Sequence, residues 1–484
     1  MKRRDFLKFV GIGAASSLLR TSPTHAKPGN LPNIVLIMTD NHSPWTLGCY
    51  GNREILTPNI DRLAREGTLF TRCFSSNAVC SPTRATYLTG LMPSQHGVHC
   101  YLRGGGAQIG PDACNTIGEF QTLPEILHNQ GYVCGLSGKW HLGDNLNPQE
   151  GFTYWITKPH GHTSTFYNAK IIENGQIRQE PTYLTDFWTD HGIRFIEKNK
   201  DRPFFLFLAY NGPYGLGNSL RNNAKNRHAK YYADKELKSF PREPIHPWLR
   251  NNRQYINNLT AIHRYAAEVS GVDDGVGRIL QTLKRLGLKQ NTLVIFTADQ
   301  GLCGGHHGMW GMGDHSRPLH TYDETCHVPL IFRHPAAIPA GKKLDLMVSN
   351  YDFMSTVLSY LGAKDRLPDK PPSPGRDYSA ALRGQRLNWD NIIFYEFENS
   401  RMVRTSEWKY TRRFPDGPDE LYDLTSDAGE RHNLVNKHKH AGIQKRLAKK
   451  LDEFFNRYAD PKYDLWRGGR SKTYLLTSPK KPLR

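Results

Sequence analysis

Two stretches of this 484-residue chain are apolar runs that end in an acid followed by an amide. The first, Asn33-Ile34-Val35-Leu36-Ile37-Met38, passes through Thr39 into Asp40-Asn41. The second, residues 291–298, ends in Asp299-Gln300-Gly301. An apolar run without polar alternation fits a strand covered on both faces, as in a parallel sheet. Residues 132–137 and 204–209 read the same way. Helical patterns lie between the strands. Thr57-Pro58 opens a helix that turns Ile60, Leu63 and Ala64 inward and stops at Gly67; residues 123–130 form a short helix closed by Gly131. Residues 259–286 carry Ile262, Ala266, Val269, Val276, Ile279 and Leu283 near one stripe, with Gly271 and Gly275 placed to bend it. This alternation predicts an α/β fold, a large and mostly parallel mixed sheet flanked by helices. Strands near 392–397 and 408–413, then a helix with Ile443, Leu447, Leu451, Phe454 and Tyr458 on one face, predict a smaller C-terminal α+β subdomain. The expected division is 1–26, 27–375 and 376–484.

In sheets of this kind, ligands bind beyond the carboxyl ends of the strands. The two acid–amide pairs therefore place four oxygen ligands, from Asp40, Asn41, Asp299 and Gln300, at one sheet edge. Hard cations such as Ca²⁺ take such ligands. Asp and Asn also favour strand ends, so either pair alone reads as turn chemistry. A further candidate is Cys80, in the run Cys80-Ser81-Pro82-Thr83-Arg84 that leads to Thr89-Gly90. Ser81 can cap a helix whose first position suits Pro82. Cys80 would then face free backbone N–H groups at the positive end of the helix dipole. Arg84, four residues on, returns to the same helical face. The alternative is an inert small cysteine before a core helix. The eight cysteines show neither zinc spacing nor a dense disulfide framework, and many are expected to be free and buried.

The N-terminus, Met1-Lys2-Arg3-Arg4-Asp5-Phe6-Leu7-Lys8, precedes a short apolar stretch and Thr24-His25-Ala26. This looks like a bacterial twin-arginine signal peptide, which predicts export through the twin-arginine translocon to the periplasm or medium. The stretch is too short to span a bilayer, so no stable membrane insertion is expected. A formal charge of +19 and a pI near 9.5 suit nucleic acid, an anionic membrane or a sulfated polymer. No nucleic-acid partner is expected, because charge alone supports one. Residues 219–255 hold nine basic against three acidic residues, interleaved with Tyr231, Tyr232, Trp248 and Tyr255. That composition suits a sulfated sugar chain, and equally a solvated insertion.

Cys80 to Gly90 resembles the Cys-x-Pro-x-Arg signature of the type I, formylglycine-dependent sulfatases of the alkaline phosphatase-like superfamily. The resemblance extends along the chain. It includes residues 32–41, Gly138-Lys139-Trp140-His141, residues 296–301, Tyr322-Asp323-Glu324-Thr325-Cys326-His327-Val328-Pro329-Leu330, and two C-terminal segments, 419–424 and 430–434. It implies hydrolysis of a sulfuric ester on a sulfated carbohydrate, with Cys80 oxidised to formylglycine by a formylglycine-generating or sulfatase-maturating enzyme. Ca²⁺ would be held by Asp40, Asn41, Asp299, Gln300 and an oxygen of modified Cys80. The hydrated aldehyde would attack sulfur, with Arg84 and Lys139 neutralising charge and His141 taking the proton that drives sulfate release. There are departures. Many members carry a second aspartate in place of Asn41, and Asn or His in place of Gln300. Tyr214 stands where a leaving-group His is usual. Residues 309–322 lack the usual Lys, leaving His315, Arg317 and His320 as substrate-binding candidates, with His96 a further one. The alternatives are a phosphonate or phosphodiester hydrolase of the same superfamily, or a non-catalytic binder of sulfated polymers.

Overall fold

The computed structural model describes residues 31–220 and 225–477; the expected signal segment, residues 1–26, lies outside them. Fourteen strands form two sheets among these residues. The large sheet is built from β1 Asn33–Asp40, β2 Thr68–Phe74, β3 Val133–Gly138, β4 Phe152–Thr157, β5 Ala169–Glu173, β6 Gln176–Glu180, β7 Phe204–Pro213, β8 Thr292–Ala298, β9 His327–Arg333 and β10 Lys342–Ser349. Their order is β10-β2-β9-β8-β1-β7-β3-β4-β5-β6. The middle of the sheet, β8-β1-β7-β3-β4, is parallel throughout. The small sheet is an antiparallel meander of β11 Ile392–Phe397, β12 Ser400–Thr405, β13 Trp408–Arg413 and β14 Glu420–Asp423.

The apolar runs became central strands because both faces of the sheet are covered. All eight residues of β1 are buried. Val35 and Ile37 enter one core, while Ile34, Leu36 and Met38 enter the other. Each such side chain contributes about 1.5–3 kcal/mol on leaving water. Among the described residues, seven helices of seven or more residues flank the sheets: α1 Pro58–Arg65, α2 Cys80–Thr89, α3 Leu123–Asn129, α4 Leu184–Lys198, α5 Leu259–Arg285, α6 Phe353–Tyr360 and α7 Ala441–Tyr458. No helix among the described residues is long and apolar enough to cross a membrane.

Helix α5 carries Gly271 and Gly275 and stays helical for all 27 residues. Both glycines allow close approach: a Cβ at Gly271 would stand 2.4 Å from Tyr183 Oη, and one at Gly275 2.3 Å from Tyr210 Oη. The basic segment is also more anchored than its composition suggests. Tyr232 and Tyr255 are buried, and Tyr232 Oη bridges Leu56 N (2.8 Å) and Ser270 Oγ (2.6 Å). Among its aromatics, Tyr231 alone is largely exposed.

The small sheet packs Ile393, Tyr395, Phe397 and Met402 against Phe74, Val79 and Leu319 of the large unit. Its other face, with Phe394, Val403, Tyr410 and Leu421, takes Leu447, Leu451 and Phe455 of α7.

Candidate active site

Strand register levels the chemistry-bearing residues. Thr39 pairs with Ala298, so Asp40-Asn41 and Asp299-Gln300 emerge side by side from β1 and β8. On the other flank β7 delivers Tyr214, and β3 delivers Lys139 and His141. Four neighbouring parallel strands thus meet at one edge. The left-handed backbone of Asn41 (φ 60°) and His141 (φ 62°) turns the chain sharply just past these strand ends.

Helix α2 delivers the cysteine. It begins at Cys80 itself, capped by Val79, so Ser81 is not the cap and Pro82 is the third helical residue. The Ser81 hydroxyl is engaged elsewhere, donating to His141 O (2.8 Å) and accepting from Leu102 N (3.2 Å). All ten residues of α2 are buried.

Cys80 Sγ lies 3.4 Å from Asp40 Oδ1 and 3.3 Å from Gln300 Nε2. Arg84 donates from Nε (3.0 Å) and Nη2 (2.8 Å) to Asp299 Oδ2, and from Nη1 to Lys139 O (2.6 Å). Lys139 Nζ is ion-paired with Asp40 Oδ2. Asn41 is fixed by donation from Nδ2 to Tyr214 O (2.6 Å). Burial and the adjacent Asp40 charge push the Asp299 carboxyl upward, against Arg84 and Lys139. Burial raises the Cys80 thiol well above its ordinary range, so the unmodified residue is a poor nucleophile.

The centre of this cluster is rich in acceptors. Gln300 Nε2 faces Asp40 Oδ1 (3.0 Å), Asn41 Oδ1, Cys80 Sγ and Met312 Sδ (both 3.3 Å). Its own Oε1 is buried without a hydrogen-bond partner. Half a turn of that amide would aim a fourth ligand oxygen inward. Ligand atoms of Asp40, Cys80 and Asp299 lie within 4.8 Å of one another, and the oxygen-rich donor set fits a hard cation.

His141 Nε2 lies 3.2 Å from Leu102 O, which requires the hydrogen on Nε2 and leaves Nδ1 bare. Nδ1 is buried without a partner. Burial, then the Lys139 charge, holds the imidazole well below its ordinary pKa, so it is a neutral proton acceptor. Tyr214 Oη meets His162 Nδ1 at 3.1 Å, and the Lys139 ammonium lies 5.6 Å from the Tyr214 ring.

The structure therefore brings together Asp40, Asn41, Cys80, Arg84, Lys139, Asp299 and Gln300, with His141 and Tyr214 alongside. His96 lies apart from this cluster, with Nε2 3.2 Å from Thr86 Oγ1 and Nδ1 accepting from Val98 N (3.1 Å). His320 Nε2 donates to Met312 O (3.0 Å). Arg317 donates to Asp314 O (2.9 Å) and Ser316 O (2.6 Å), and His315 pairs with Asp314 at 2.7 Å. Sequence reasoning missed His162 and Lys158. Lys158 Nζ donates to His162 O and Thr163 Oγ1, both at 3.0 Å, and burial lowers it to about 7. The signal was present: both follow β4, the next parallel strand after β3, at the same carboxyl edge.

The sequence model of the sulfatase family matches residues 32–363, more than half of the chain. The chain belongs to the sulfatase family. As a sulfatase it is a sulfuric ester hydrolase. A second model, the C-terminal region of N-sulphoglucosamine sulphohydrolase, matches residues 308–457. This sulfatase is 26% identical to an N-acetylglucosamine-6-O-sulfatase of Bacteroides thetaiotaomicron, over 92% of this chain and 90% of that one. It is 31% identical to an N-acetylgalactosamine-6-sulfatase of Rattus norvegicus, over 77% of this chain and 70% of that one. Its fold resembles BT4656 in complex with D-glucosamine-2-N,6-O-disulfate, with a TM-score of 0.69 and 24% identity, covering 88% of this chain and 98% of that one.

Proposed function

We propose that this sulfatase removes sulfate from a sulfated carbohydrate, a polysaccharide or glycosaminoglycan-like oligosaccharide, using formylglycine made from Cys80 and bound Ca²⁺. The observation that carries this reading is the convergence of Cys80, two acid–amide pairs, Arg84 and Lys139 in one buried cluster. Asp40, Asn41, Asp299 and Gln300 would hold the ion. When present, Ca²⁺ would polarise the ester and the modified residue would supply a hydrated aldehyde as nucleophile.

The remaining chemistry belongs to this chain's own side chains. Asp40 and Asp299 balance the charges of Lys139 and Arg84. A divalent cation added to that balance leaves the cluster net positive, as an anionic ester and an anionic nucleophile require. The bare Nδ1 of neutral His141 can accept the proton whose loss drives sulfate release. Tyr214 Oη, held by His162, is a hydroxyl donor for the departing alcohol. Of the three loop candidates, His315 and Arg317 are partly exposed and so open to substrate, whereas His320 is buried. The named activities of the two relatives support trying N-acetylhexosamine 6-sulfates first. Export by the twin-arginine route, maturation by a formylglycine-generating or sulfatase-maturating enzyme, and a division near residue 375 belong to the same proposal.

The test is turnover of 6-O-sulfated N-acetylglucosamine and N-acetylgalactosamine beside phosphate diesters, using matured protein. Faster release of sulfate supports the proposal; preference for the diesters overturns it.

A further inference from the structure

The small sheet carries a groove that the chemistry above does not use. It holds about 770 Å³ between the β13–β14 turn, α7 and the segment around Trp466. One wall is an aromatic pair: Phe414, 46% exposed, stacks on Trp466 with ring centroids 5.5 Å apart and planes 24° apart. The Arg412 guanidinium lies 5.1 Å from the Trp466 ring. The opposite wall is α7, which contributes the amides Gln444 and Asn456. Trp466 is half-buried, with the Arg401 guanidinium 4.6 Å from its ring, so the apolar face offered to water is that of Phe414. Asn456 Oδ1 accepts from Arg467 Nη2, which leaves its Nδ2 as a directional donor beside that face.

The lining carries both signs, Arg401, Arg412, Arg413 and Arg467 against Asp419 and Asp452, while the helix surface beside it is mostly basic. At 100° per residue, Lys445 and Lys449 fall on the groove side of α7, next to the stripe that bears Gln444 and Asn456. Both lysines are exposed, as are Arg446, Lys450, Lys437 and Lys439. Asp452 and Glu453 are the acids of α7. Asp452 is engaged by Arg412, and Glu453 lies 3.7 Å from Lys449. A merely solvated helix face would account for the lysines, but not for an exposed Phe414 stacked on Trp466 with amides beside it. Arg413, the next residue along β13, points to the other face of the sheet and donates to Leu319 O (2.7 Å). Leu319 belongs to the loop that carries Asp314 and His315, so groove and catalytic rim share one strand end.

We propose that this groove is a second saccharide site, which holds a segment of a sulfated glycan chain outside the catalytic pocket. The ligand class rests on the substrate class proposed above, but binding there requires no chemistry at Cys80. The Phe414 ring, backed by Trp466, stacks on the C–H face of a sugar, the amides meet its hydroxyls, and Lys445 and Lys449 meet its sulfates.

The test uses the full chain with Cys80→Ala, so that nothing is turned over. Calorimetric affinity for a heparin-derived octasaccharide is compared with that of Phe414→Ala and of Lys445→Glu/Lys449→Glu in the same background. Each change lies at an exposed position and is expected to weaken binding roughly tenfold, as a hot-spot loss does. The same changes in active enzyme are expected to leave kcat/KM on a 6-O-sulfated monosaccharide within about twofold while lowering it on the polymer, since they do not touch the reacting atoms. Unchanged octasaccharide affinity in both variants overturns the site. So does an equal loss on the monosaccharide, or equal binding of a desulfated octasaccharide. A protein that binds the chain in this way yet turns over no sulfate ester would overturn the proposed activity and leave the groove standing.

Discussion

A methyl group added at Gly161 would stand 2.0 Å from Cδ2 of His141. The glycine is therefore what lets the catalytic-candidate imidazole lie flat against its loop. Gly161→Ala should cost about 1–3 kcal/mol of stability through overpacking. It should also displace the ring, and displacement on the ångström scale costs up to about a hundredfold in kcat. Steady-state kinetics with a thermal melt would read both; unchanged kcat would mean that the placement of His141 does not matter. Arg84 gives a second residue-scale test. Its planar fork makes two bonds to Asp299 and one to Lys139 O, a geometry lysine cannot copy. Arg84→Lys should lower stability by about 1–3 kcal/mol in denaturant unfolding. It should also lower turnover, whereas wild-type behaviour would show the fork to be dispensable.

Helix α5 buries an acid among apolar neighbours. Glu268 is 1% exposed, accepts from Tyr183 Oη at 2.5 Å, and keeps Oε1 without a partner. Burial pushes its carboxyl up to about 8 from an ordinary 4.5. The folded state then holds a proton that the unfolded chain has released. Its contribution to stability is complete below about pH 4.5 and is lost as pH rises toward 8, by at most about 1.4 kcal/mol per unit. Melting temperatures from pH 5 to 8 should fall more steeply for the wild type than for Glu268→Gln; parallel curves would contradict this. The same scale explains what was legible in sequence. The central strands and their terminal acid–amide pairs could be read because burial on both faces removes polar residues until the strand ends. The start of α2 could not, because Ser81 caps nothing and instead ties Leu102 to His141. Lys158 and His162 were hidden because β4 exposes Thr153 and so lacks the continuous apolar signature. What Gly271 and Gly275 make room for could not be read either, because local pattern cannot reveal that Tyr183 and Tyr210 lie against them.

At the scale of the molecule, a cation at the strand edge would join elements far apart in sequence, Asp40 to Asp299. Binding to the folded state alone adds about 2.7 kcal/mol of stability when the ion is at a hundred times its Kd. Ca²⁺ should therefore raise Tm, a chelator should reverse the rise, and Asp299→Asn should weaken it. An unchanged Tm with and without Ca²⁺ would contradict a site at these residues. The formal charge of +19 fits an anionic substrate but does not identify one. The most direct test is mass spectrometry of the Cys80 peptide from protein matured in an exporting bacterial host. The account predicts conversion of the thiol side chain to an aldehyde at Cys80 and none at Cys49 or Cys100. An intact thiol at Cys80 in protein that nevertheless hydrolyses sulfate esters would contradict it.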